Sequence, residues 1–77
     1  MQAFVEYIVK GLVDEPEAVT VTPVEREGST TYELRLAEPD VAKVIGRQGS
    51  TIQAIRSLVQ TGGGHQGKRC TVEIIED

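Results

Sequence analysis

The sequence predicts an α+β fold in the order helix, strand, strand, helix, helix, strand, with the helices packed on one face of a three-stranded sheet. Three observations lead there. Apolar residues recur at helical spacing near the N-terminus and again after residue 50. They alternate with polar residues in three short stretches, and a Gly-x-x-Gly tetrapeptide joins the last two helices with almost no linker.

From Ala3 to Val13, Phe4, Ile8 and Leu12 repeat every four residues with Val5 and Val9 beside them, which is the apolar face of an amphipathic helix. Glu6 and Lys10 form an i,i+4 pair on it. Asp14-Glu15-Pro16-Glu17 ends the helix. Val19, Val21 and Pro23 then alternate with Thr20 and Thr22 in a strand. Pro23 has no N–H to donate, which puts this strand at a sheet edge or at a bulge. Glu27-Gly28-Ser29 is a turn, and Tyr32, Leu34 and Leu36 alternate with charged residues beyond it, so residues 18–37 read as a hairpin.

Pro39 suits a first helical position and Asp40 places negative charge in the first turn of a short helix, Asp40 to Ile45. The loop Gly46-Arg47-Gln48-Gly49 follows. Ser50 or Thr51 caps the next helix, whose apolar face is Ile52, Ile55, Leu58 and Val59. Gly62-Gly63-Gly64 is expected to terminate it. Cys70, Val72 and Ile74 alternate in a last strand.

Seventy-seven residues suffice for one domain, 1–77, with a modest core. The net charge of −4 is unevenly spread. Residues 1–40 carry nine acids against Lys10, Arg26 and Arg35, a net −6; residues 41–77 carry five bases against Glu73, Glu76 and Asp77, a net +2. Screening over about 8–10 Å makes that local balance count for more than the total. No apolar run approaches the roughly 20 residues that span a bilayer. The start of the chain lacks the pattern of a signal peptide, and the single Cys70 has no disulfide partner, so a cytoplasmic location is expected. One histidine, one cysteine and no clustered ligands give no metal site, and no Walker lysine follows the glycines. No catalytic constellation, cofactor or small-molecule substrate is expected. Glu76-Asp77 and Asp14-Glu15 read as solvated ends.

Two helices joined only by Gly-x-x-Gly turn sharply around a backbone that no Cβ shields. The second helix presents its free N–H groups and positive dipole end at the same place, which suits a phosphate. Arg47 adds a mobile cation and Gln48 a hydrogen-bonding amide.

The longer run Val44-Ile45-Gly46-Arg47-Gln48-Gly49-Ser50-Thr51-Ile52 is far more specific than the glycines alone. It resembles the Val-Ile-Gly-x-x-Gly-x-x-Ile signature of KH domains, and the order of elements is similar to the type II KH arrangement. The N-terminal run Phe4–Asp14, the segment Asp40–Gly46 and the ending Val72-Glu73-Ile74-Ile75 fit the KhpA family of small stand-alone bacterial KH proteins, and the likeness covers nearly the whole chain. It implies binding of about four nucleotides of single-stranded RNA. Gly46, Arg47, Gln48 and Gly49 would form the clamp, Ser50 would open the second helix, and Lys43 and Ile52 would flank a groove for the bases. The likeness also implies self-association or pairing with a larger KH protein, and work in post-transcriptional regulation or RNA chaperoning. The triplet Gly62-Gly63-Gly64 departs from the family's alanine-rich helix end, which predicts a shorter or frayed last helix.

Blander readings stand beside these. The loop also serves as a ligand-free turn, Arg47 and Lys43 as solvated cations, Ile52 as core, and His65, Lys68 and Arg69 as either a second RNA contact or a surface turn. Cys70 reads as a small core residue, and Phe4, Tyr7 and Tyr32 as core or interface. The rival function is a protein-interaction module that dimerises, with RNA binding weak or lost.

Overall fold

A computed structural model describes residues 1–76; Asp77, expected to be a solvated end, lies outside the described residues. Helix α1 (Gln2–Leu12) leads through a 3-10 turn at Pro16–Ala18 into strands β1 (Thr20–Arg26) and β2 (Ser29–Arg35). Helix α2 (Glu38–Ile45), a 3-10 turn at Arg47–Gly49, helix α3 (Ser50–His65) and strand β3 (Arg69–Ile74) complete the chain. The sheet order is β1-β2-β3, with β1 antiparallel and β3 parallel to the central β2. A parallel neighbour needs a crossover, and α2 and α3 supply it.

The β1–β2 register runs unbroken from Thr20↔Arg35 to Arg26↔Ser29. Only Glu27 and Gly28 remain for the loop, both at positive φ as the tightest hairpins require. Pro23 lies opposite Tyr32 on an edge strand, so its missing N–H is placed at the edge and no bulge forms. Val21, Tyr32, Leu34, Cys70 and Val72 point from one face of the sheet into the core, where Val5, Val9, Val44, Ile52, Ile55 and Val59 of the helices meet them. Each edge strand has one carbonyl taken by a helix side chain. Gln2 Nε2 donates to Val21 O at 3.0 Å, and Arg56 Nε donates to Val72 O at 3.0 Å. Arg56 thus pairs with a strand carbonyl rather than with an acid.

Several expectations are corrected. The buried stripe of α1 is Val5 and Val9, while Phe4 and Leu12 are exposed and Ile8 is half-buried. Successive helical residues are about 100° apart, so centring α1 on Val5 and Val9 swings Phe4 to the flank. Tyr7, expected in the core or an interface, is 81% exposed and so stands outside the core, and Leu58, expected on the apolar face of α3, is 52% exposed. Helix α2 begins at Glu38, two residues before the expected start, with Pro39 in its first turn. Neither Ser50 nor Thr51 caps α3; its N-cap is Gly49, and no side-chain cap bond is made.

The largest correction concerns Gly62-Gly63-Gly64, which lie inside α3 and do not end it. A Cβ on Gly63 would sit 2.7 Å from Cys70 Sγ and 3.0 Å from Lys68 O, and one on Gly62 would collide with the Met1 side chain. Gly63 therefore lets β3 come close, whereas at Gly62 the neighbour is only the end of the flexible Met1 side chain. Tertiary packing outweighs the roughly 1 kcal/mol per residue by which glycine disfavours a helix. The stop comes later. Lys68 N donates to Gly63 O at 2.8 Å and Gly67 N to Gly64 O at 3.1 Å, with Gly67 at φ 71°, which is a Schellman cap. The last helix is 16 residues long and well terminated, not short or frayed.

Candidate nucleic-acid interface

The loop between α2 and α3 is made by backbone angles that few side chains tolerate. Gly46 has φ 77° and ψ 174°, a region open essentially to glycine alone. A Cβ there would also lie 2.7 Å from Thr51 Cβ and 2.8 Å from Thr51 N. Gln48 and Gly49 are both left-handed, with φ 56° and 77°. Gly46 N donates to Ala42 O at 2.9 Å, ending α2, and Gly49 N donates to Gly46 O at 3.2 Å, closing the turn. The two glycines differ in what surrounds them: Gly46 is wedged against Thr51, whereas nothing lies within 4 Å of the place a Gly49 Cβ would take. The open approach to the backbone is on the Gly49 side, at the start of α3, where the dipole of a 16-residue helix favours an anion.

The structure keeps Gly46, Arg47, Gln48, Gly49 and Ser50 together at one tip, with Arg47, Gln48 and Ser50 exposed. Lys43 and Ile52 stand elsewhere. Ile52 is a core residue, 6% exposed. Lys43 Nζ donates to Asp14 Oδ2 and lies 3.6 Å from Asp40 Oδ1. Asp14 is therefore an ion-pair partner rather than merely a solvated end.

Asp40 is the residue that sequence reasoning missed. Its carboxylate is 1% exposed and accepts from the backbone N–H groups of Asp14, at 3.1 Å, and Glu15, at 3.0 Å. It fastens the connection after α1 to the helix that precedes the loop. Burial alone would push its pKa up, but the two N–H groups and Lys43 outweigh burial and hold it below its ordinary value. Lys43 is held above its ordinary value, first by its hydrogen bond to Asp14 and then by the charges of Asp14 and Asp40, against the opposing effect of desolvation. An aspartate just after a proline carries the same sequence signal whether it serves the helix dipole or a tertiary anchor, so nothing in the sequence distinguished the two.

Among the described residues, Lys10 pairs with Glu6, Arg35 with Glu33 and Lys43 with Asp14 and Asp40. Arg47, Arg26, Lys68 and Arg69 have no acidic partner among the described residues. The loop thus carries an unpaired guanidinium, and no acid occurs between Asp40 and Glu73. No group of three or more His, Cys, Asp or Glu among the described residues is placed to hold a metal ion, and no helix among them is long and apolar enough to cross a membrane.

The family model described as KhpA/KhpB, KH domain matches residues 2–74. The chain belongs to this KH-domain family. The family is one of RNA-binding KH proteins rather than of enzymes. Among the relatives of this KhpA/KhpB chain is the RNA-binding protein KhpA of Chlamydia pneumoniae, 42% identical over 77 residues, which covers 100% of the chain and 99% of the relative. KhpA of Listeria monocytogenes is 45% identical over 76 residues, covering 99% of the chain and 100% of the relative. KhpA of Caldanaerobacter subterraneus is 45% identical over 75 residues, covering 97% and 100%. No solved structure matches the chain.

Proposed function

We propose that residues 1–77 form one domain that binds single-stranded RNA, with the backbone of the loop Gly46-Arg47-Gln48-Gly49 gripping the phosphates. The observation that carries this reading is the shape of the loop. Its open Gly49 side, its left-handed backbone and the start of α3 converge on one point, and the exposed, unpaired Arg47 belongs to the same turn. The curated relatives are named as RNA-binding proteins, which supports carrying that ligand to this chain. Ser50 adds a hydroxyl at the entrance. Lys43 reaches a phosphate by leaving Asp14, an exposed partner, and loosening its 3.6 Å contact with Asp40, whose carboxylate keeps its two backbone N–H donors. Ile52 supports the groove from beneath, as part of its floor.

The domain acts in the cytoplasm as a homodimer or beside a larger KH protein, in post-transcriptional regulation or RNA chaperoning. Linking two weak clamps raises affinity through effective concentration. The exposed Phe4, Tyr7 and Leu58 favour a second reading, in which association with a protein partner is the main task and RNA binding is weak.

The test is binding of short single-stranded RNA at two salt concentrations, with Arg47→Asp/Gln48→Asp alongside. Three or four phosphate contacts give a slope of log affinity against log salt of about −2 to −3. The double variant is expected to fold normally and to lose binding. Equal affinity of the two proteins would sink the clamp, and lost self-association with unchanged RNA affinity would favour the second reading.

A further inference from the structure

The unpaired cations divide between the two ends of α3. Arg47 stands at its start, and Arg26, Lys68 and Arg69 gather past its end. Strand register brings the latter group together. Arg26 lies opposite Ser29, and Ser29 lies opposite Arg69, so the three form one row across β1, β2 and β3 on the sheet face away from the helices. Two strand spacings put the arginine backbones about 10 Å apart with the Ser29 hydroxyl between them. Lys68 precedes Arg69, and all three cationic side chains are exposed. Glu25 and Glu27 border the turn, yet neither pairs with any of the three. Like charges held this close, with no ion pair to any of them, favour an anion even beside Glu25 and Glu27.

A cleft of about 430 Å³ opens beside this row, lined by Gln60 and Gly64 of α3 together with Ser29, Lys68, Arg69 and Thr71. Gln60 continues a stripe on α3 of Gln53, Ser57 and Gly64, spaced for one helical face and all exposed. The stripe carries hydrogen-bonding groups and no charge. It runs from the Gly49 end of the helix to the cleft.

We infer that Arg26, Lys68 and Arg69, with Ser29, form a second phosphate-binding site that takes the continuing backbone of the RNA held at Gly46–Gly49. The inference rests on the RNA-binding reading above and extends its footprint. Helix α3 has 16 residues, about 24 Å at 1.5 Å per residue, so the two sites lie that far apart. Stacked nucleotides advance about 3.4 Å each along a strand, so roughly seven bridge the gap. An RNA of about five nucleotides fills the loop site alone, and one of about twelve reaches both.

The experiment compares oligouridines of about five and about twelve nucleotides on the intact chain, on Arg26→Gln/Lys68→Gln/Arg69→Gln, and on Arg47→Asp/Gln48→Asp. After allowance for the larger number of registers on the longer RNA, the unaltered protein is expected to bind it more tightly and with a salt slope steeper by about 2, for three phosphates at 0.7 each. The triple variant keeps the melting temperature and the short-RNA affinity and loses both the extra affinity and the extra slope. A triple variant that binds the longer RNA as the unaltered protein does overturns the second site, and the row is then left for an acidic protein surface. Failure of the clamp reads differently: Arg47→Asp/Gln48→Asp then leaves the short-RNA affinity unchanged.

Discussion

Alanine at position 63 is expected to destabilise the protein, while alanine one residue later stabilises it. Both positions are glycine inside α3, and each substitution gains about 1 kcal/mol from helix propensity. At Gly64 nothing lies within 4 Å of the new Cβ, so the gain is kept. At Gly63 the Cβ would stand 2.7 Å from Cys70 Sγ, 3.0 Å from Cys70 Cβ and 3.0 Å from Lys68 O. The Lys68 backbone cannot easily yield, because its N–H closes the helix cap on Gly63 O. Overpacking of this kind costs about 1–3 kcal/mol, and against a pinned backbone the upper part of that range applies. After the propensity gain, Gly63→Ala loses about 1–2 kcal/mol and Gly64→Ala gains about 1 kcal/mol. The two variants then differ by about 2–3 kcal/mol, or roughly 10–20 °C in melting temperature for a domain of this size. Thermal unfolding followed by far-ultraviolet circular dichroism measures it. Equal stabilisation of both variants would refute the reasoning, since it would mean that α3 does not approach β3 closely at Gly63.

The remaining predictions concern the loop and its supports. Gly46→Ala, which meets both a forbidden backbone region and Thr51, is expected to cost at least about 1–3 kcal/mol in urea unfolding. Gly49→Asn keeps a left-handed backbone in open space, so it should cost less than about 1 kcal/mol. It still weakens RNA binding by shielding the backbone, and a titration with a short RNA checks this. Asp40→Asn destabilises at neutral pH. Because the carboxyl is held below its unfolded value of 3.8, its stabilisation is present above that pH and is lost as pH falls through the lower folded value. Unfolding midpoints of the two proteins should therefore converge in acid, and a gap that persists at the lowest pH would count against the assignment. Arg56→Met removes the donor to Val72 O and is expected to lower the urea midpoint by the equivalent of about 1–2 kcal/mol.

The strands and the loop were legible because their signals are local. Alternation fixed the inward faces of β2 and β3 through Tyr32, Leu34, Cys70 and Val72, and the hairpin turn declared itself in Glu27-Gly28. The signature around Gly46 carried both the turn and the resemblance to the KH family. What escaped depends on partners distant in sequence. Glycine's helix penalty is a property of the residue, so Gly62-Gly63-Gly64 read as a stop until Cys70 and Met1 were seen against it. The rotation of α1 that buries Val5 instead of Phe4 is set by how the helix rests on the sheet. Asp40 looked like a dipole partner because Asp14 and Glu15 lie more than twenty residues earlier. The row Arg26, Ser29, Arg69 exists only once the register of three strands is known.

The parallel pairing of β2 with β3 has a consequence for how the protein forms. The partners Ser29 and Arg69 are about 40 residues apart, and the loop Gly46–Gly49 lies inside the excursion that their pairing closes. A growing chain forms the β1–β2 hairpin from nearby residues, but β2 keeps an open flank until the final strand emerges and Arg56 finds its carbonyl there. The bonds that shape the loop are local, but the helices on either side of it are closed onto a complete sheet only once β3 has paired with β2.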